Sequence, residues 1–203
     1  PGRTASLCPG NVGMKPIVVV SGLPRSGTSM MMRMLEAASI EPLTDQLRAA
    51  DEDNPRGYYE FEPVKGLEED HAWLADAGGR SVKVISRLLV HLPGEYRYRV
   101  VFMRRQMVEV LASQRAMLER RGAADHQPPD ETMKTLFEKH LMEVEHWLQE
   151  QENVEVHFVS YNEVLENPTK EVAKVGAFLD LESGLEEMAA EVDHQLYRRR
   201  SSC

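Results

Sequence analysis

Residues 16–35 read PIVVVSGLPRSGTSMMMRML, and this stretch decides the fold. Four β-branched residues, 17–20, form a continuous apolar run, which is typical of a strand buried on both faces of a parallel sheet. Two glycines and a proline in the segment 22–27 then interrupt the regular pattern, and apolar residues return at helical spacing from Thr28 onward. The stretch therefore predicts a strand, a glycine-bearing loop and a helix in immediate succession.

The loop between this strand and helix has the chemistry of an anion site. Backbone N–H groups and the positive end of a helix dipole converge where a strand turns into a helix. Arg25 lies within the loop, where it supplies a cation. Hydroxyl groups surround it on Ser26, Thr28 and Ser29, which together with Gly27 complete the predicted binding segment. An anion of the size of phosphate is therefore the expected ligand.

The glycine spacing is that of a nucleoside-triphosphate P-loop, but the position of the cation differs. The pattern G-x-x-x-x-G-K-[ST] has lysine after its second glycine, whereas here Gly22 and Gly27 are followed by Thr28. A kinase or ATPase with this loop would lack the charge that reaches the β- and γ-phosphates. With the cation at Arg25, GLPRSGTS resembles the 5′-phosphosulfate loop of sulfotransferases. Those enzymes transfer a sulfuryl group from 3′-phosphoadenosine 5′-phosphosulfate (PAPS) and release adenosine 3′,5′-bisphosphate.

A second segment, YRVVFMRRQMVEVLASQRAML at residues 98–118, resembles the sulfotransferase motif for the nucleotide 3′-phosphate. In that family an arginine at a strand end and a serine eight residues later bind this phosphate, which implies Arg105 and Ser113 here, with Arg104 as the adjacent alternative. A guanidinium group recognises phosphate through two parallel hydrogen bonds. The residues alone leave another interpretation open, in which Arg105 pairs with Glu109 at a solvated helix start.

A third segment, VHFVSYNEVLENPTKEVAKVGAFLDL at residues 156–181, resembles the strand, tyrosine and helix that the family places near adenine. The resemblance implies this role for Tyr161, although Asn162 and Glu163 depart from the family pattern Tyr-Glu-Asp-Leu. A tyrosine packed at a sheet edge is the alternative. The family's late Arg-Lys-Gly loop is missing. The run Arg198–Arg200 either substitutes for it or is a solvated group of charges, and we favour the second interpretation.

The same resemblance locates a candidate catalytic base. Small-molecule sulfotransferases use the histidine of a Lys-Thr-His segment, but Ile85 stands at that position in SVKVI, residues 81–85. Carbohydrate and tyrosyl-protein sulfotransferases use a glutamate. The segment NPRGYYE, residues 54–60, resembles a motif of bacterial members, so Glu60 is the expected base. His71 and His91 are weaker alternatives.

Arg25 and Lys83 complete the predicted catalytic set. Arg25 would stabilise the charge that develops on the leaving phosphate. Lys83 lies two residues before the missing histidine and would reach the transferred group or the acceptor. The residues themselves leave open that Lys83 extends into solvent.

Strands and helices alternate along the chain, which predicts an α/β fold: a parallel β-sheet flanked by helices in a P-loop NTPase-like three-layer sandwich. The predicted strands are 17–20, 81–86, 98–103 and 154–159, and the predicted helices after the first include 63–77, 108–122, 133–148 and 168–179. Residues 40–56 are expected to form a loop, with a short helix within it as the alternative. Residues 1–15 are predicted to be a flexible tail and residues 16–203 a single domain.

Composition narrows the classes of partner. The net charge of −9 disfavours nucleic acid as a ligand. The sequence contains no apolar run of about 18 residues, so no membrane span is predicted. The only two cysteines, Cys8 and Cys203, fit a reduced cytoplasmic protein, and no motif predicts a metal.

The acceptor is not readable from these residues. The resemblance implies a hydroxyl or amine on a small molecule, carbohydrate or peptide, held by loops at 40–57 and 123–130. The alternatives are a divergent P-loop kinase or NTPase and a non-catalytic nucleotide-binding relative of the sulfotransferases.

Overall fold

A five-stranded sheet lies at the centre of the protein, whose structure, a computed structural model, describes residues 14–45, 57–122 and 128–193. The strands are β1 (Ile17–Gly22), β2 (Pro42–Leu43), β3 (Ser81–Lys83), β4 (Tyr98–Arg104) and β5 (Val154–Ser160). Their spatial order is β2-β3-β1-β4-β5, and every neighbouring pair is parallel. The predicted α/β fold with a parallel sheet is confirmed.

Helices cover both faces of the sheet and give three layers. The α-helices in the described residues are α1 (Thr28–Ala37), α2 (Met107–Arg120), α3 (Asp130–Glu150), α4 (Tyr161–Glu166), α5 (Pro168–Leu179) and α6 (Leu185–Ala190). Short 3₁₀ helices occupy Glu62–Gly66, Ala72–Asp76 and Ser86–His91. Helix α3 packs on one face, and α1, α4, α5 and α6 pack on the other.

Strand β1 is buried on both faces because each face carries its own hydrophobic cluster. Val18 and Val20 join the cluster that contains the apolar residues of α1, α4 and α5, whereas Ile17 and Val19 join the cluster that contains those of α3. All six residues of the strand are buried, as the β-branched run predicted. The buried methionines of α1 are part of the first cluster: Met30, Met31, Met32 and Met34.

The prediction of a single helix over 63–77 is wrong. Two 3₁₀ helices form instead, and an acidic turn separates them. Within this turn the amides of Glu69 and Asp70 donate to the carbonyl of Gly66, and the Asp70 carboxylate accepts from the amide of Ala72 at 3.0 Å. A side chain that bonds its neighbouring backbone competes with helix continuation, so the element is interrupted there.

Further boundaries differ from the prediction. The segment expected to be a loop over 40–56 contains β2, a two-residue strand that pairs with β3. Strand β3 ends at Lys83 rather than at residue 86. Residues 161–166, which lie between β5 and the helix predicted over 168–179, form helix α4, and the Ser160 hydroxyl caps it by accepting from the amide of Glu163 at 3.3 Å.

Several predicted features lie outside the described residues. These are residues 1–13 of the tail, residues 46–56 and 123–127 of the two predicted acceptor loops, and Arg198–Arg200.

Candidate functional site

The carboxyl end of β1 is where the topology of the sheet favours a ligand. β1 lies between β3 and β4, so the chain runs to one side of it through β2 and β3 and then to the other side through β4 and β5. In open α/β sheets, ligands bind in the crevice outside the strand ends at such a reversal. The predicted anion loop, residues 22–27, begins at this point.

The loop has an uncapped helix start and an unsatisfied buried hydroxyl. Arg25 and Gly27 adopt positive φ angles of 72° and 100°. The first-turn amides of a helix have no acceptor within the helix, and at α1 no side chain caps them either. Ser26 is 1% exposed, and its Oγ has no hydrogen-bond partner among the described residues. Buried polar groups of this kind are normally paired, so the loop fits an anion that accepts from them.

Glycine is required at both ends of the loop because the neighbouring strands approach it closely. A Cβ atom on Gly22 would lie 2.6 Å from the carbonyl oxygen of Met103 on β4. A Cβ atom on Gly27 would lie 2.3 Å from Cδ2 of Tyr161, the first residue after β5. The loop therefore lies against the carboxyl ends of β4 and β5, where the other two predicted motifs lie.

The register of β4 with β5 brings Arg105 next to Tyr161. Arg104 and Ser160 are the last paired residues of the two strands, so the next residues emerge side by side. The guanidinium of Arg105 lies over the Tyr161 ring, with Cζ 4.4 Å from the ring centroid. Burial raises the pKa of the Tyr161 phenol, and the nearby Arg105 charge opposes the shift. The phenol is therefore neutral at physiological pH.

The predicted 5′-phosphosulfate and 3′-phosphate residues form one cluster. Arg25 Nε donates to Ser113 Oγ on α2 at 2.9 Å, although 88 residues separate them. Arg105 Nη1 donates to the carbonyl oxygen of Arg25 at 3.1 Å. The adjacent alternative, Arg104, lies apart from this cluster: it pairs with Glu145 at 2.7 Å, and its side chain is 46% exposed. Arg105 is therefore the strand-end arginine that reaches the loop.

Arg105 also makes the ion pair with Glu109 that the alternative interpretation of the motif required. The Nε–Oε2 distance is 2.9 Å, but the pair is buried rather than solvated, with side chains 8% and 1% exposed. Glu109 additionally accepts from the side-chain amide of Asn162, the residue after Tyr161. Sequence reasoning assigned no role to Asn162, and the one available signal was its departure from the family pattern.

Lys83 is directed at the segment that carries the candidate base. Its Nζ donates to the carbonyl oxygen of Tyr58 at 2.6 Å, and Ser29 Oγ donates to the same oxygen at 3.5 Å. The side chain of Lys83 is half-buried. One backbone carbonyl thus connects the end of β3 with the first turn of α1.

The backbone around Glu60 is held from three sides. The Glu60 carbonyl accepts from Thr44 Oγ1 at 3.0 Å and from the amide of Asp45 at 3.3 Å. Tyr59 has a positive φ of 51°, and its hydroxyl donates to the Glu36 carboxylate on α1. With the bonds to the Tyr58 carbonyl, these contacts fix the segment that carries Glu60 at the carboxyl edge of the sheet.

Comparison with known proteins identifies the family. The sequence matches the sulfotransferase domain family over residues 15–201. The chain belongs to the sulfotransferase family. Among solved structures it is similar to the sulfotransferase domain from the curacin biosynthetic pathway, with 15% identity and a TM-score of 0.53 over 89% of this chain and 83% of the other.

A second solved structure is also similar to this sulfotransferase. It is the sulfotransferase domain from the olefin synthase of Synechococcus PCC 7002, with 12% identity and a TM-score of 0.47 over 95% of this chain and 86% of that one. No curated protein matches the sequence.

In this sulfotransferase a histidine of α3, His140, contacts the segment that follows β3. His140 on α3 lies with Nε2 2.8 Å from Ser86 Oγ, one residue beyond the position of the missing family histidine. Burial lowers the pKa of His140, so its imidazole is neutral at pH 7. The weaker base candidates, His71 and His91, lie 3.7 and 4.0 Å from surface glutamate carboxylates. Sequence reasoning missed the contact of His140 because its partner is 54 residues away.

The described ranges, 14–45, 57–122 and 128–193, contain neither a cluster of metal ligands nor a membrane-spanning helix. In this part of the sulfotransferase, no group of three or more His, Cys, Asp or Glu side chains could hold a metal ion. No helix there is both long and apolar enough to cross a membrane.

Proposed function

We propose that this sulfotransferase uses PAPS as donor and transfers the sulfuryl group, without a metal ion, to a hydroxyl or amine of a small-molecule, carbohydrate or peptide acceptor. The observation that carries the proposal is the contact of Arg25 with Ser113 and Arg105. It joins an anion loop to a second arginine and serine, and such an arrangement suits a ligand with two separate anionic groups. PAPS has one such group on its 5′ side and another on its 3′ oxygen.

The residues present fit this donor. The 5′-phosphosulfate would be held by Arg25, the unsatisfied Ser26 hydroxyl, and the backbone amides of Gly27, Thr28 and Ser29. Arg105 and Ser113 would hold the 3′-phosphate, and Tyr161 would lie near adenine. When bound, the donor supplies the sulfuryl group and a phosphate leaving group.

Arg25 would act on the charge of the leaving group. Negative charge grows on the departing phosphate during sulfuryl transfer, and a positioned cation lowers the barrier because it needs no reorganisation at that moment. Ser113 accepts from Nε of Arg25 and so orients the guanidinium before any ligand arrives. The carbonyl of Arg25, a residue with a φ of 72°, accepts from Arg105, and this bond also holds the backbone of the loop.

Glu60 would take the proton of the acceptor. A general base must lie at the reacting group, and the bonds to Tyr58 and Tyr59 hold the Glu60 segment at the edge of the sheet where the anion loop begins. Lys83 supports this position through the Tyr58 carbonyl. We propose Glu60 and Arg25 as catalytic residues and Lys83, predicted to reach the transferred group or the acceptor, as the residue that positions the Glu60 segment.

Glu60→Gln will lower kcat by about 10²–10⁴-fold, because a general base typically contributes this much, and will leave the Kd of adenosine 3′,5′-bisphosphate unchanged. The measurement is the rate of sulfate transfer from PAPS to an acceptor identified from a panel of phenols, alcohols, amines, sugars and tyrosine peptides. Glu62→Gln is the matched control, since Glu62 lies two residues away at the surface and pairs with Lys65. Wild-type turnover in Glu60→Gln would remove Glu60 as the base.

The proposed donor is tested by calorimetric titration with adenosine 3′,5′-bisphosphate in EDTA and with ATP plus Mg²⁺. We expect tight, metal-free binding of the bisphosphate and weaker binding of ATP. A preference for ATP with Mg²⁺ would favour a divergent kinase or NTPase, although Thr28 at the lysine position argues against that class. Bisphosphate binding without transfer to any acceptor would favour a non-catalytic relative. The cytoplasmic location suggested by Cys8 and Cys203 stays a prediction.

A further inference from the structure

A buried network ties the start of α4 to the start of α2, and Glu109 lies at its centre. The Glu109 side chain is 1% exposed, so its charge must be balanced by close partners. Arg105 Nε donates to Oε2 at 2.9 Å. Asn162 Nδ2 lies 3.3 Å from Oε1 and 3.2 Å from Oε2. The carboxylate is therefore held by a cation on one side and by an amide on the other.

Asn162 contacts the start of α2 with both ends of its side-chain amide. While Nδ2 donates to Glu109, the Oδ1 atom accepts from the backbone amide of Gln106 at 3.5 Å. An aspartate of the same shape would have no N–H to donate and would face the buried carboxylate with a like charge. The position therefore requires a neutral side chain that donates and accepts, and asparagine has both groups.

The orientation of the Arg105 guanidinium follows from this network. A guanidinium is planar, so bonds at two of its nitrogens and a contact on its face determine its position. Glu109 holds Nε, the Arg25 carbonyl holds Nη1, and the Tyr161 ring lies 4.4 Å from Cζ. Asn162 acts one step further out, since it fixes the carboxylate to which Nε is bound.

We propose that Asn162 is a positioning residue for the phosphate-binding arginine: through Glu109 it sets the plane of Arg105, and so it sets the selectivity of this sulfotransferase for nucleotides that carry a 3′-phosphate. The inference rests on the proposed function, because it assumes that Arg105 binds that phosphate. Bidentate recognition of phosphate depends on the direction of the guanidinium as well as its charge. A guanidinium oriented in advance also avoids an ordering cost on binding.

The test compares two ligands that differ only in the 3′-phosphate, adenosine 3′,5′-bisphosphate and adenosine 5′-monophosphate. Asn162→Ala removes the hydrogen bonds to Glu109 without changing any charge. We expect the reoriented guanidinium of Arg105 to lose one of its charge-assisted hydrogen bonds to the 3′-phosphate, which weakens bisphosphate binding about tenfold and leaves monophosphate binding unchanged. Asn162→Asp is expected to weaken bisphosphate binding further, because it places a second carboxylate against Glu109.

A charge-swapped double variant separates positioning from net charge. In Asn162→Asp with Glu109→Gln, the amide and carboxylate exchange places, and the net charge equals that of the wild type. We expect bisphosphate affinity to return to within about threefold of wild type, since the hydrogen bond is restored with its direction reversed. This double variant also keeps the test decisive if Asn162→Ala does not fold.

The control is Asn167→Asp, the same substitution at an exposed position at the start of α5, where the asparagine side chain makes no capping bond. We expect it to bind both nucleotides as the wild type does. If Asn162→Ala lowers the melting temperature but keeps the wild-type ratio of the two affinities, Asn162 is only structural and the inference is overturned. If the wild type itself does not bind the bisphosphate, the proposed function fails, and this result is distinguishable from the first.

Discussion

Arg105→Ala is expected to lower the affinity for adenosine 3′,5′-bisphosphate by roughly 30-fold to 4,000-fold. Truncating one partner of a buried charge pair at a binding site costs about 2–5 kcal/mol, and each 1.4 kcal/mol is a factor of ten in Kd. Arg105 is 8% exposed and contacts Glu109, Tyr161 and the carbonyl of Arg25, so its charge lies in a buried site rather than in solvent. Calorimetric titration measures the change.

Arg104→Ala is the matched control for this prediction, because Arg104 is the last residue of β4 and directly precedes Arg105. Its side chain is 46% exposed and pairs with Glu145, and we expect bisphosphate affinity within about twofold of wild type. Arg105→Ala also leaves the buried Glu109 without its cation, which will lower stability. Arg105→Lys restores that charge without the planar fork, so it separates the two effects. A loss of affinity in Arg104→Ala with none in Arg105→Ala would reassign the phosphate site.

Arg25→Met is expected to lower kcat by about 10²–10³-fold, the usual cost of removing one group that stabilises developing negative charge. Methionine keeps much of the length of the side chain and removes the cation. The rate of sulfate transfer from PAPS to the acceptor found by the panel gives kcat. KM for PAPS should rise as well, because the same guanidinium would bind the 5′-phosphosulfate.

Two further variants define what this loss means. Ser113→Ala removes the partner of Arg25 Nε but leaves the charge in the loop, so its effect on kcat should be smaller than that of Arg25→Met. Arg97→Met removes a surface arginine that pairs with Glu155 at 3.4 Å, and it should change neither constant. Wild-type kcat in Arg25→Met would show that the loop binds a ligand without assisting transfer.

The strand, the glycine-bearing loop and the first helix could be predicted from sequence because their determinants are contiguous. The β-branched run of β1, the two glycines and the apolar spacing of α1 lie within about 20 residues, and each acts on the local backbone. Arg105 and Ser113 were also predicted, through a motif that spans one strand end and the following helix. Arg105 contacts Glu109 and the loop together: the ion pair with Glu109 forms but is buried rather than solvated, and binding of the 3′-phosphate stays a prediction.

Local patterns failed where an element is short or where its conformation depends on a distant partner. Strand β2 has only two residues, too few for any periodicity, and it exists because its backbone pairs with β3. Lys83 is the last residue of a strand, and the sequence leaves open whether its side chain extends into solvent. The hydrogen bond to the carbonyl of Tyr58, 25 residues earlier, determines the direction of the side chain.

The sequence by itself determined that a strand, a glycine-bearing loop and a helix follow one another in an α/β fold, because these depend on local backbone preferences and burial. Only the tertiary structure decided which side chains meet at that loop. Arg25 reaches Ser113 because β1 and β4 are neighbours in the sheet, and Asn162 reaches Glu109 because the last paired residues of β4 and β5 lie side by side. Strand order and register are properties of the whole chain, and no segment carries them alone.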